Sequence, residues 1–216
     1  MEQKQTINNI KNSNISIDDD NKNKKIDIYN FIKRIIDIFC SLVGLILLSP
    51  VFIITAILIR IESKGDVIFK QLRVGKNGKT FYIYKFRSMK IDTPTMATND
   101  MKNPEMYITK VGKFIRKTSI DELPQLVNIL MGDMSIVGPR PVIDKETDLI
   151  NLRKQNKIDV ILPGITGWAQ INGRDNLGNE EKVKYDKEYL EKRSIKFDLY
   201  IMCMTVLKVL KRDDIR

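Results

Sequence analysis

The 216-residue chain contains no histidine, and that absence removes more chemistry than any single motif adds. Ser-His-Asp and Cys-His nucleophilic schemes, zincin motifs and histidine-bound zinc all fall away. Cysteine is almost absent as well. Cys40 and Cys203 both sit inside apolar runs with no CxxC spacing, so free thiols in a reducing compartment are expected. Aromatic residues make up only 7% of the chain, with a single tryptophan, and no basic stripe is interleaved with aromatics. No apolar leader opens the sequence, whose first thirty residues are polar and rich in Asn, Asp and Lys. Chemistry here has to run on carboxylates and cations.

What is present is positive charge. A net +10, with 43% hydrophobic and 30% charged residues, describes a folded protein with an anionic partner. Of the candidates, an acidic membrane surface and phosphorylated substrates fit better than nucleic acid, and no nucleic-acid partner is expected.

The organisation changes abruptly along the chain. Residues 1–28 carry too little apolar surface to fold alone and read as a disordered polar tail. Residues 29–62 form a membrane-embedded segment, because Ile38 to Ile59 runs for 22 residues without a charge. A straight helix of that length covers roughly 33 Å, about the hydrocarbon thickness of a bilayer. Pro50, preceded by Ser49, interrupts it. The proline removes one backbone hydrogen bond and presses on the carbonyl of Ile46, to whose turn the serine hydroxyl can bond back. Basic residues flank both ends, so the positive-inside rule gives no asymmetry. A bent helix that re-enters one leaflet satisfies both features; a kinked single span is the alternative.

Residues 63–216 read as one folded region that carries the candidate chemistry. Residues 67–86 predict a β-hairpin turning at Asn77-Gly78. Leu123, Leu126, Val127, Leu130 and Met131 recur at helical spacing, closed by Gly132-Asp133. Helices are also expected over 143–157, 180–193 and 197–210, the last lying against the core or at the membrane surface.

Several constellations could carry chemistry. Ser119-Ile-Asp-Glu122 has the spacing of a capping box, and Asp121 and Glu122 could simply complement a helix dipole. Adjacent carboxylates repel, however, so a cation or bound metal would favour them. One could attack phosphorus and the other hold Mg²⁺. Arg140 sits between Pro139 and Pro141 on a stiff backbone and suits phosphate, or else an acidic neighbour. Lys85 and Arg87 place two cations on one strand face, either for substrate or for solvent. Gln170 and Arg174, in a glycine-rich loop with Trp168, could line a base and ribose or belong to a tight loop alone.

Read in order, these segments resemble one family. They are the apolar run with Ser49-Pro50, Lys85-Phe-Arg-Ser-Met89, Ile108-Thr-Lys-Val-Gly112 and Arg116-Lys-Thr-Ser-Ile-Asp-Glu-Leu-Pro-Gln125. Gly132-Asp-Met-Ser-Ile-Val-Gly-Pro-Arg-Pro141 and Pro163-Gly-Ile-Thr-Gly-Trp-Ala-Gln-Ile-Asn-Gly-Arg174 follow. The chain resembles the bacterial sugar transferases, monotopic polyprenyl-phosphate phosphoglycosyl transferases, in their minimal form without extra preceding spans.

The resemblance implies an α+β, mainly α-helical fold: a re-entrant helix broken at Ser49-Pro50, a small β-hairpin and a catalytic domain on the cytoplasmic face of the membrane. It implies transfer of sugar-1-phosphate from a UDP-sugar to undecaprenyl phosphate with release of UMP. Asp121 would be the nucleophile, Glu122 the Mg²⁺ ligand, and Lys85, Arg87, Arg140, Gln170 and Arg174 the phosphate and substrate contacts. Membrane lipids and other glycan-assembly enzymes are the further partners implied. The rivals are direct transfer with Asp121 as a base, and a catalytically silent scaffold of the same fold.

Overall fold

The computed structural model describes residues 2–91, 93, 104–173 and 176–211. The loop around Pro94 and the candidate Arg174 lie outside these. The chain divides into a first unit, Met1–Ile36, and a second, Asp37–Arg216, which carries the folded core.

Helix α1 spans Glu2–Leu47 and helix α2 spans Ser49–Glu62. Helix α1 takes in most of the polar stretch 1–28, from Glu2 onward. No glycine precedes Gly44 and no proline precedes Pro50, so nothing local breaks the backbone. The break comes where the sequence places it. The segment Lys24–Leu47 meets Ser49–Glu62 at a bend of 60°. Ser49 Oγ donates to the carbonyl of Ile46 at 2.8 Å, which satisfies the group that the proline leaves without an amide partner. Among the described residues no single helix is long and apolar enough to cross a membrane. The bent pair meets that requirement together, as a re-entrant helix does.

Beyond the helix pair, β1 (Ile68–Val74) and β2 (Thr80–Phe86) form the antiparallel hairpin, in register from Ile68 opposite Phe86 to Val74 opposite Thr80. Asn77 (φ 56°) and Gly78 (φ 74°) turn it, as the Asn-Gly pair predicts. Helix α3 (Lys110–Lys117) is capped by Thr109, whose hydroxyl accepts from the Gly112 amide. Helix α4 (Gln125–Met131) ends on Gly132 at φ 91°. Asn128, fully buried on α4, completes the free edge of β2. Its Oδ1 accepts from the Tyr84 amide (3.0 Å) and its Nδ2 donates to the Tyr82 carbonyl (2.7 Å), as a neighbouring strand would.

A second small sheet was not foreseen in the sequence. β3 (Ser135–Val137) and β4 (Gly164–Thr166) pair in parallel. Their backbones approach so closely that a Cβ on Gly164 would run into the Gly138 nitrogen. The buried Asp37 on α1 accepts from the Ile136 amide at 3.1 Å and so tethers this sheet to the membrane helix.

Helices α5 (Thr147–Gln155), α6 (Trp168–Ile171), α7 (Asn179–Lys192) and α8 (Ile195–Lys211) complete the chain. Val137, Ile171, Tyr189 and Ile201 share one core cluster. Helix α8 packs on the core through Ile201, which is fully buried, while Leu199, Tyr200, Val206 and Leu207 stay exposed. Of the two free thiols, Cys203 is exposed rather than buried.

Replacing Ser49 and Pro50 by alanine should restore the hydrogen-bond ladder and straighten the pair. A membrane-impermeant label at the N-terminus would then find it on the opposite face of the membrane; unchanged labelling would contradict the bend as the cause of re-entry.

Candidate active site

The carboxylate dyad lies on a single 3₁₀ turn, Ile120–Glu122, between α3 and α4. The capping box expected there does not form. Ser119 is left-handed (φ 56°) and makes no side-chain cap, because its positive φ carries the hydroxyl away from the following amides. Glu122 turns instead toward cations. Its Oε1 accepts from Lys85 Nζ at 2.8 Å and from Arg140 Nη2 at 3.4 Å. Glu122 and Lys85 are largely shielded from water, with side chains 12% and 17% exposed, so the pair is worth more than a surface ion pair.

Asp121 sits half-buried beside Glu122. Burial and then the Glu122 charge push its pKa up to about 6, while Lys85, Arg116 and Arg140 pull the other way. Arg116, from the last turn of α3, opens the same sequence motif but was not singled out as a site residue.

Arg140 is held from behind. Its backbone carbonyl accepts from Arg153 Nη1 at 2.7 Å. The Arg153 guanidinium also grips Asp186 Oδ2 through Nε (3.0 Å) and Nη2 (2.7 Å), and both residues are buried. Burial raises the Asp186 pKa against the pull of Arg153. Nothing in their sequence context marks Arg153 or Asp186, because neither belongs to a motif and their pairing is long-range.

Arg73 from β1 joins the same group, with Nη1 on the Pro141 carbonyl (3.2 Å) and Nη2 on Gln71 Oε1 (2.6 Å). Burial first, then Arg140, lowers its pKa. Arg73, Lys85, Glu122, Gln125 and Arg140 thus line one narrow polar cleft.

Arg87 and Gln170, the other selected residues that the structure describes, do not join it. Arg87 follows the end of β2 and turns away: its guanidinium donates to the carbonyls of Ser63 (2.8 Å) and Lys64 (2.9 Å) and to Ser63 Oγ (2.9 Å). It closes the connection between α2 and β1, so the shared face expected for Lys85 and Arg87 does not exist. Gln170, on α6, donates to the Ile165 carbonyl of β4 at 3.1 Å. Trp168 packs edge-on against Phe197 and Tyr185 and donates to Glu188 Oε2, which makes it a core residue. A larger, mostly apolar cavity of about 210 Å³ beside the hairpin turn and α5 is lined by none of the residues selected from the sequence.

A Mg²⁺ ion commonly uses one or two protein carboxylates and takes its remaining ligands from phosphate and water. The dyad fits that donor set, since the Glu122 charge already burdens Asp121. Among the described residues no group of three or more acidic, His or Cys side chains could cage an ion alone.

The bend of the helix pair, the two small sheets and the carboxylate dyad facing Lys85 and Arg140 all fall within the stretch that matches the bacterial sugar transferase family. The chain belongs to that family, whose profile matches residues 28–212. It is 41% identical over 185 residues to the uncharacterized sugar transferase EpsL of Bacillus subtilis (strain 168), covering 86% of this chain and 90% of that protein. It is 42% identical over 184 residues to the UDP-glucose:undecaprenyl-phosphate glucose-1-phosphate transferase of Escherichia coli (strain K12), covering 82% and 40% respectively. A third relative, the UDP-N-acetylgalactosamine-undecaprenyl-phosphate N-acetylgalactosaminephosphotransferase of Aeromonas hydrophila, is 39% identical over 193 residues, covering 85% and 44%. The chain therefore spans nearly all of the Bacillus protein but less than half the length of the other two.

Two outcomes follow from this geometry. Because the Asp121 pKa is raised, the folded state holds that proton more tightly than the unfolded chain does. The resulting stability is present below the ordinary value of 3.8 and is lost as pH rises through about 6. In metal-free buffer Asp121→Asn should therefore melt higher than wild type at pH 7.5, with the gap closing below pH 4; a constant gap would contradict the shift. Asp186→Ala leaves Arg153 buried and unpaired, so chemical denaturation should show a loss of about 3–5 kcal/mol.

Proposed function

We propose that this protein transfers sugar-1-phosphate from a UDP-sugar to undecaprenyl phosphate at the cytoplasmic face of the cell membrane. UMP is released and a lipid-linked glycan is begun, of the kind used in capsule or exopolysaccharide synthesis. The observation that carries this reading is the clustering of Lys85 and Arg140, from two other segments, around the Asp121–Glu122 pair. The names borne by the Escherichia coli and Aeromonas hydrophila relatives supply the donor class and the acceptor.

The chemistry follows from the residues. At neutral pH, above its raised pKa of about 6, Asp121 is mainly ionised yet more basic than an ordinary aspartate. An Asp121 oxygen attacks the phosphorus that bears the sugar. The bridging P–O bond breaks, and its electron pair leaves with UMP. A phosphate oxygen of the lipid then attacks the same phosphorus, which frees the aspartate and forms the lipid-linked diphosphate sugar. Lys85 and Arg140 stand where negative charge accumulates on the phosphoryl oxygens, and their positions are set before substrate arrives. Glu122 is the residue that would hold a Mg²⁺ ion, and the ion would supply neutralisation of the charge on the leaving phosphate.

The membrane helix supports the acceptor. On α2 only Thr55 and Ile59 are buried, while Ile53, Ile54, Ile57, Leu58 and Ile61 are exposed to a degree that water does not tolerate in one patch. Lipid covers such a surface and brings the acceptor phosphate to the interface beside the site.

The test is UMP release by the purified full chain in detergent with Mg²⁺ and a panel of UDP-sugars, with and without undecaprenyl phosphate. Lipid-dependent turnover with one donor is expected. Asp121→Asn should abolish it, and Glu122→Gln should reduce it and weaken its metal dependence. Absence of UMP with every donor would favour the silent scaffold instead.

A further inference from the structure

The narrow cleft holds a feature that the dyad and its two cations do not explain. Gln125 is 2% exposed, and its Nε2 has no hydrogen-bond partner among the described residues. Arg73 Nε, in the same cleft, is likewise buried and without a partner. Both residues line this cleft, and buried donors are nearly always satisfied, so the unsatisfied pair needs an explanation. Among the described residues that line it, Arg73, Lys85, Arg140 and the Gln125 amide are donors and Glu122 is the carboxylate, which already takes Lys85 and Arg140. What Gln125 Nε2 and Arg73 Nε lack is an acceptor. The free space is about 10 Å³, the room of a single oxygen atom and too small for a sugar or a base.

We infer that Gln125 and Arg73 form a subsite for one non-bridging oxygen of a substrate phosphoryl group, with Gln125 Nε2 donating the neutral hydrogen bond and Arg73 the charged one. This rests on the phosphoglycosyl transferase reading for the identity of the substrate. The oxygen belongs either to the donor diphosphate or to the lipid phosphate. An amide suits the position because it adds a directional donor without a further charge beside three arginine and lysine cations already close together.

The role separates activity from stability. A side chain that merely holds the fold loses both when its donor is removed. A donor waiting for substrate has no partner to lose in the free protein, so removing it costs the fold nothing. Gln125→Met keeps the length and removes both polar atoms. It should melt no lower than wild type, while UMP release falls about 10- to 100-fold and the inhibition constant of inorganic phosphate rises. Gln125→Glu, which offers an acceptor in place of the donor, should lose more. UMP release with donor alone against release with undecaprenyl phosphate identifies whose oxygen is held: a defect in the first points to the donor, a defect confined to the second to the lipid.

Wild-type turnover in Gln125→Met, wild-type turnover in Gln125→Glu, or a parallel fall of melting temperature and activity would each overturn the inference. If wild-type protein releases no UMP, the functional reading fails on its own. Inorganic phosphate then still decides the subsite: a thermal shift seen in wild type and lost in Gln125→Met supports it, and an equal shift in both refutes it.

Discussion

One carboxylate oxygen organises this protein. Glu122 Oε1 receives Lys85 from β2 and Arg140 from the segment after β3, so a single acceptor ties together three parts of the chain. Each part is separately braced. Asn128 locks β2 to α4 just beyond the dyad. The close pairing of β3 with β4 fixes the backbone leading to Arg140, and Arg153, anchored on Asp186, holds its carbonyl. Without Glu122, Lys85 and Arg140 would repel each other across the cleft with Arg73 beside them. The braces would still stand, but the acceptor that draws Lys85 and Arg140 together would be gone.

The same balance sets the state of Asp121. Its neighbours would leave it an ordinary aspartate if burial and Glu122 did not outweigh Lys85, Arg116 and Arg140. The result is a carboxylate more basic than an ordinary aspartate and still mainly ionised at neutral pH, as the proposed nucleophile requires. A site without histidine therefore reaches the pH range usually governed by imidazole through desolvation and like charge.

Local features were legible in the sequence because their causes are local. Asn77-Gly78 supplies the positive φ angles of the hairpin, and Ser49 with Pro50 supplies both the break and the hydroxyl that answers it. Asp121, Glu122 and Arg140 stood out as charges on constrained backbone. Features that depend on distant partners were not legible. Each strand of the β3–β4 pair is only three residues long and shows no alternation to read. Lys85 and Arg87 look equivalent, and only the carbonyls at Ser63 and Lys64 draw Arg87 elsewhere. Ser119 has the spacing of a cap but a conformation that prevents it. Gln125 closes one of the motifs and Arg73 belongs to none, and nothing in the sequence joins them until their burial and missing partners are seen.

The central claim is that Asp121 itself takes up the phosphosugar. The most direct measurement is the intact mass of the protein after brief incubation with Mg²⁺ and the UDP-sugar it turns over, with no lipid acceptor present. The account predicts a gain of one phosphosugar in wild type, located on the peptide containing Asp121, absent from Asp121→Asn and discharged on adding undecaprenyl phosphate. Lipid-dependent turnover by a wild-type protein whose mass never changes under rapid quenching would contradict it and leave Asp121 as a base for direct transfer.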